Sequence, residues 1–249
     1  MLHCDSTATR YSQTRREDPR IARVLRHAIG NARSLLNVGA GSGSYEPSDL
    51  EVLAIEPSET LIRQRAIGAA PVIQARAEAI PLDDKSYDVA LAVNTVHHWT
   101  DLRAGLRELR RVCRHRIVIF LRDPSKGTPF WLTEDYLPAL APIAYMSKVT
   151  ATLEAELGKM ATIEAALPHD CLDGSFCGYW ARPESYLDPE VRRNISNFSM
   201  ADSLYVAQGI EKLNRDLSSG DWDRKHGHLR ALPELDCGHR ILVAELTEA

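Results

Sequence analysis

The sequence predicts an α/β fold built on a doubly wound, mostly parallel sheet, and three observations carry that expectation. Short apolar runs alternate with helical patterns through the first two-fifths of the chain. The first run, "SLLNVG" (34–39), passes directly into a glycine-spaced loop, "GAGSG" (39–43). A last strand-like run, "RILVAEL" (240–246), returns after a long, polar, helix-rich stretch. Apolar strands buried on both faces and separated by helices are the pattern of a parallel sheet.

Taken in order, "SLLNVG" is the first strand and "EVLAIE" (51–56) the second. "PSETLIRQRAIG" (57–68) is a helix opened by Pro57 and Ser58. "PVIQA" (71–75) is a short third strand and "YDVALAV" (87–93) a fourth. Helix "DLRAGLRELRRVC" (101–113) follows, with Cys113 in it, and then a fifth strand, "RIVIFL" (116–121). Beyond Leu121 the rhythm changes to prolines and aromatic residues. "VTATLEAELGKM" reads as a helix ended near Gly158, and "ATIEAAL" (161–167) as a strand. Residues 168–238 are mostly polar and helical. The expected organisation is an N-terminal helical cap (1–33), a core (34–167), a helical lid between the last two strands (168–238) and the last core strand (239–249).

Composition narrows the function. The chain has 249 residues, long enough for one α/β domain with an insertion or for two small domains. Its 30 basic and 34 acidic residues give a net charge of −4, which offers no general attraction to nucleic acid or to an anionic membrane. No apolar run approaches the ~18 residues of a membrane span, and "MLHCDSTATRYSQTRRED" lacks the apolar stretch of a signal peptide. Five cysteines without a C-x-x-C pair suit reduced thiols in the cytoplasm. Cys171, Cys177, His226, His228 and Cys237 lack zinc-ribbon spacing, so no metal is expected.

The glycine loop is either a plain tight turn or a nucleotide loop. It lies at the C-terminal end of the first strand, where open α/β sheets bind ligands. Glu56 ends the second strand, placed to accept hydrogen bonds from ribose hydroxyls. The spacing departs from the dinucleotide pattern G-x-G-x-x-G, and Glu46 close behind it would repel a pyrophosphate. A cofactor without phosphates fits better.

The stretches "LLNVGAGSGSYEP", "LAIEPS", "ARAEAIPLDDKSYDVALAVNTVHHWTD" and "LRELRRVCRHRIVIFLRDP" resemble the successive motifs of class I S-adenosylmethionine-dependent methyltransferases, above all the branch acting on small molecules. The resemblance covers roughly residues 11–121 and the final strand. It implies a Rossmann-like sheet of seven strands and S-adenosylmethionine as cofactor. It also implies roles at matching positions. Gly39, Ala40 and Gly41 would pass beneath the methionine portion and ribose, and Glu56 would bind the ribose hydroxyls with Pro57 beside the adenine. Ala77 and Glu78 would lie at the adenine edge, and Asn94 would border the methionine moiety. Asn37 and Arg76 depart from the acidic residues common at their positions.

Methyl transfer from a sulfonium needs alignment and exclusion of water, and a base only where the nucleophile keeps its proton. His97 and His98 are candidates for that base, with His98 preferred; the alternative is that they cap or pack a helix start. Trp99, Trp131, Tyr136 and Trp180 are candidate walls for a planar acceptor, or else core aromatics. Tyr11 and Arg15 are candidate lid residues over the sulfonium and the cofactor carboxylate. The expected partner is a small-molecule acceptor rather than nucleic acid or membrane, and the expected assembly a monomer or homodimer. A catalytically silent cofactor- or partner-binding protein on the same fold is the competing expectation.

Overall fold

The computed structural model describes residues 16–246. Tyr11 and Arg15 lie outside the described residues. Helix α1 (Pro19–Ile29) starts where Asp18 accepts a hydrogen bond from the Arg20 N–H and Pro19 occupies the first turn. Its buried residues, Ile21, Leu25, Ala28 and Ile29, fall on one helical stripe. Strand β1 (Ser34–Val38) is buried throughout and pairs in parallel with β2 (Glu51–Ile55) on one side. Helix α2 is short (Glu59–Ile62), capped by Ser58. The longer helix expected over 57–68 ends after Ile62, and beyond it the Arg65 guanidinium turns to Glu46 and to the Ala70 carbonyl.

Strand β3 (Val72–Ile73) is the third strand reduced to two residues. Strand β4 (Tyr87–Val93) pairs with β1 on its other side. Helix α3 (Leu102–Val112) is capped by Asp101, which accepts from the Ala104 N–H. It ends at Val112. Cys113 is therefore not helical but opens β5 (Cys113–Arg122), in parallel register with Tyr87 of β4. Helices α4 (Trp131–Asp135) and α5 (Ile143–Leu157) follow, and Gly158 closes α5 in a positive-φ conformation that a side chain would strain.

Strand β6 (Ala161–Glu164) forms one edge of the sheet. The run expected to continue to 167 breaks there. Strand β7 (Leu167–Pro168) pairs instead with β8 (Glu234–Leu235), outside the main sheet. Between them lie α6 (Pro189–Arg193), α7 (Ser196–Ser199), α8 (Ser203–Ser219) and α9 (Asp221–His226). Strand β9 (His239–Glu245) runs antiparallel between β5 and β6. The sheet thus has seven strands in the order β3-β2-β1-β4-β5-β9-β6. The chain moves outward from β1 to β3, then crosses back to β4. That reversal opens a crevice over the C-terminal ends of β1 and β4, where such sheets bind ligands.

The segment between β7 and β8 has no core of its own. One hydrophobic cluster runs from Ile21 and Leu25 of α1, through Leu35 and Phe120 of the sheet, to Trp131, Trp180, Tyr186 and Trp222. The Trp131 indole N–H donates to the Trp180 carbonyl at 2.9 Å, and the Trp180 indole N–H donates to the Leu167 carbonyl at 3.0 Å. Trp131 meets Trp222 and Tyr186 edge to face, with centroids 5.3 and 5.7 Å apart.

Asp18 joins α1 to this segment. Its buried carboxylate accepts from Arg20 and from the Leu172 N–H. Burial alone would raise its pKa, but these hydrogen bonds outweigh it and bring the carboxyl from 3.8 to about 2. A carboxyl lowered by folding contributes stability above its ordinary pKa and loses it as pH falls through the folded value. Urea unfolding between the ordinary 3.8 and about 2 should therefore show stability falling with pH, and Asp18→Asn should flatten that slope. Among the described residues, no helix is long and apolar enough to cross a membrane.

Candidate functional site

The crevice is built from loops that follow β1, β2 and β4. After Val38 the chain turns through Gly39, Gly41 and Gly43 at φ of 71°, 55° and 94°. These values favour residues without a Cβ. The Gly39 and Ala40 N–H groups both donate to the Ile55 carbonyl, fixing the loop's root to the end of β2. Gly39 and Gly41 have different jobs. A Cβ on Gly39 would lie 2.0 Å from Thr95 Oγ1, so this glycine lets the loops after β1 and β4 touch. A Cβ on Gly41 would meet nothing within 4 Å. Gly41 therefore faces open space.

Glu56 stands at the end of β2, only 5% exposed. Its Oε2 accepts from the Gly41 N–H at 2.8 Å and its Oε1 from the Ser58 N–H at 2.9 Å. A carboxylate oxygen accepts more than one hydrogen bond, so holding the loop and meeting a ligand hydroxyl are compatible roles for one side chain. Pro57 follows it, its carbonyl accepting from the Gln74 amide. Asn94, just past β4, takes φ of 50° and donates its N–H to the Phe120 carbonyl at 2.7 Å.

The next turn, Val96–His98, brings the two imidazoles together, with centroids 4.0 Å apart and planes tilted by 50°. His98 is exposed and His97 half-buried. The Tyr145 hydroxyl of α5 donates to the His97 carbonyl at 2.5 Å, a contact without a sequence signal. Trp99 is half-buried against Gly105 of α3, where a Cβ would come within 2.5 Å of its ring. Glu78 reaches across from the loop after β3, accepting from the Thr100 N–H at 2.7 Å and the Asp101 N–H at 3.1 Å. Ala77 beside it is buried. Arg76 is hydrogen-bonded to Thr100 and lies 3.6 Å from Glu78.

The structure thus joins Gly39, Ala40, Gly41, Glu56, Pro57 and Asn94, with His97 and His98 on the adjoining turn and Glu78 tied to its far end. It does not bring Trp131, Tyr136 or Trp180 to this crevice as open walls. All three are buried in the common core. Tyr136 is held by its hydroxyl, which donates to Asp216 at 2.9 Å, and by Lys212 over its ring. Burial and a saturated set of partners make them supports of the α8–α9 region.

Beneath the glycine loop, Glu46 and Arg65 form a buried ion pair at 2.8 Å, and Asn37 donates to Glu46 at 3.1 Å. A carboxylate only accepts, so the amide nitrogen of Asn37 faces it. Asn37 Oδ1 is then a buried acceptor with no hydrogen bond among the described residues. The pair also revises one sequence expectation. Arg65 compensates Glu46, so repulsion by Glu46 does not by itself disfavour a phosphate. A separate groove of about 630 Å³ lies between α5 and the outer strands, lined in part by Thr150, Glu154, Thr162 and Arg240. It shares no residue with the crevice. His226 is paired with Asp135 at 2.6 Å, and Cys171, Cys177 and Cys237 are buried free thiols.

Residues 36–121 match a family model described as a methyltransferase domain. A crystal structure from Anabaena variabilis, of a protein named as a candidate methyltransferase of an antibiotic biosynthesis pathway, superposes with a TM-score of 0.86. It is 32% identical, over 94% of this chain and 100% of that one. YrhH of Bacillus subtilis, also named as a candidate methyltransferase, is 31% identical over 90 residues, which are 31% of this chain. The matched stretch spans half the length of that relative. YcgJ of Bacillus subtilis shares the fold, with a TM-score of 0.53 at 14% identity over 93% of this chain and 100% of that one.

Proposed function

Since the chain belongs to the class I S-adenosylmethionine-dependent methyltransferases, we propose that it transfers the cofactor's methyl group to a small organic acceptor. The observation that carries this reading is Gly41 facing open space beside the buried carboxylate of Glu56, which accepts from the Gly41 N–H at 2.8 Å. The residues present fit the cofactor: a buried carboxylate at Glu56 for a diol, a loop with three positive-φ glycines, and a buried acceptor at Asn37 Oδ1 with no hydrogen bond among the described residues. Bound S-adenosylmethionine supplies a methyl group on a sulfonium, a good leaving group.

The chain's own residues bind, align and shield. Glu56 holds the ribose hydroxyls, Pro57 lies beside the adenine, and the backbone at Ala77 and Glu78 reads its edge. Asn94 borders the methionine portion. His98 takes the proton of the acceptor nucleophile, with the His97 ring tilted against it. Trp99 forms the near wall, while Trp131, Tyr136 and Trp180 hold the 168–238 segment from inside as a cover that excludes water. The net charge of −4 argues against a nucleic-acid acceptor, and the naming of the Anabaena relative supports a small organic one. Buried reduced thiols suit the cytoplasm, and the protein works there as a monomer or homodimer.

Incubation with S-adenosylmethionine and a panel of metabolites tests the proposal by release of S-adenosylhomocysteine; cofactor binding without turnover on any acceptor would favour a silent binding protein. With an acceptor in hand, replacing the catalytic histidine by Ala should lower turnover by ~10²–10⁴-fold with little change in cofactor affinity. Unchanged turnover in His97→Ala, His98→Ala and the double variant would return both to a structural role.

A further inference from the structure

Tyr45 follows the glycine loop and adopts φ of 63°, a conformation disfavoured for a residue with a side chain. Its surroundings hold it there. The Tyr45 N–H donates to Glu17 Oε2 at 2.9 Å. Its ring meets Phe120 edge to face, with centroids 6.4 Å apart. Its hydroxyl lies 3.0 Å from Asp173 Oδ2 and 3.4 Å from the Asp18 backbone nitrogen. The nitrogen is a donor, so the single phenol proton goes to Asp173 and the phenol oxygen accepts from Asp18.

Three segments far apart in sequence therefore meet on one phenol: 17–20, the end of the glycine loop, and 170–173 at the entry to the long segment. Asp18 strengthens the knot by accepting from the Leu172 N–H at 3.1 Å, and Arg20 pairs with Asp170 at 2.7 Å. Tyr45, Asp18 and Asp173 are 4%, 0% and 3% exposed. A hydrogen bond from a phenol to a carboxylate in such a place is charge-assisted and therefore strong. Tyr45 lies two residues beyond Gly43, so this bond anchors the C-terminal end of the glycine loop.

We propose that Tyr45 and Asp173 are positioning residues for the cofactor: Asp173, through the Tyr45 hydroxyl, holds the glycine loop in the shape that keeps Gly41 over open space and against Glu56. The same bond couples the loop to residues 170–173, so opening of one accompanies opening of the other. This rests on the reading of the crevice as an S-adenosylmethionine site.

The test is calorimetric titration of S-adenosylhomocysteine into the wild type, Tyr45→Phe, Asp173→Ala, Asp173→Asn and the Tyr45→Phe/Asp173→Ala double variant, with melting temperatures for each. Tyr45→Phe keeps the ring and removes only the hydroxyl. Tyr45→Phe and Asp173→Ala should each weaken binding about tenfold, the double variant no further, and Asp173→Asn, which keeps an acceptor oxygen, should restore most of the affinity. Hydrogen exchange of the free protein should show residues 40–46 and 170–173 losing protection together in Tyr45→Phe. Lower melting temperatures with unchanged affinity would overturn the proposal and leave a structural tie. Independent exchange of the two segments would overturn the coupling. Failure of the wild type to bind would count against the cofactor reading instead, and the exchange experiment would still decide whether loop and segment open together.

Discussion

Gly41→Val is expected to abolish S-adenosylmethionine binding, by at least about 100-fold, in a protein that still folds, whereas Gly39→Val should cost both binding and fold. The loop gives both residues positive φ, but their surroundings differ. Beyond Gly41 there is nothing within 4 Å of a Cβ, so the new side chain fills the space proposed for the cofactor. The fold loses only the backbone strain of a side chain in a left-handed conformation, about 1–2 kcal/mol. At Gly39 the same strain is joined by a Cβ 2.0 Å from Thr95 Oγ1, in a buried corner where β1 and β4 meet. Overpacking of that kind adds about 1–3 kcal/mol. Thermal melts and calorimetry on the two variants separate these outcomes. Normal cofactor affinity in Gly41→Val would place the cofactor elsewhere.

Trp180→Ala should be the most damaging substitution outside the crevice, by about 3–5 kcal/mol, the usual loss for a large aromatic removed from a core. Trp180 is fully buried, and its indole N–H satisfies the Leu167 and Pro168 carbonyls where the long segment leaves the sheet. The cluster it belongs to is continuous with α1 and β5. Denaturant unfolding should thus remain a single transition at lower midpoint. Two separate transitions, with the sheet unaffected, would show that residues 168–238 fold as a unit of their own.

Much of the sheet was legible because local pattern decides it. A strand buried on both faces needs a run such as "LLNV" or "VALAV", and Asp101 and Gly158 announce helix ends through their own backbone chemistry. The glycine spacing and Glu56 placed the crevice for the same reason. What stayed hidden depends on pairs distant in sequence. Nothing in "SGSYEP" shows that Tyr45 will meet Asp173, or that Glu46 will be neutralised by Arg65. Thr95 gave no signal, because its importance is only that Gly39 lies flush against it. Trp131, Tyr136 and Trp180 were ambiguous for a physical reason: a pocket wall and a core demand the same apolar surface, and only burial distinguishes them. Cys113 moved from helix to strand because the residue at such a boundary is set by its neighbour, here Tyr87 of β4.

Calorimetric titration of S-adenosylmethionine, run beside NAD on the same protein and on Glu56→Ala, is the most direct test of the central claim. The expected result is saturable one-to-one binding of S-adenosylmethionine, weakened in Glu56→Ala by ~1–3 kcal/mol for the polar groups left unpaired, with no binding of NAD. Tight binding of NAD with no binding of S-adenosylmethionine would contradict the account.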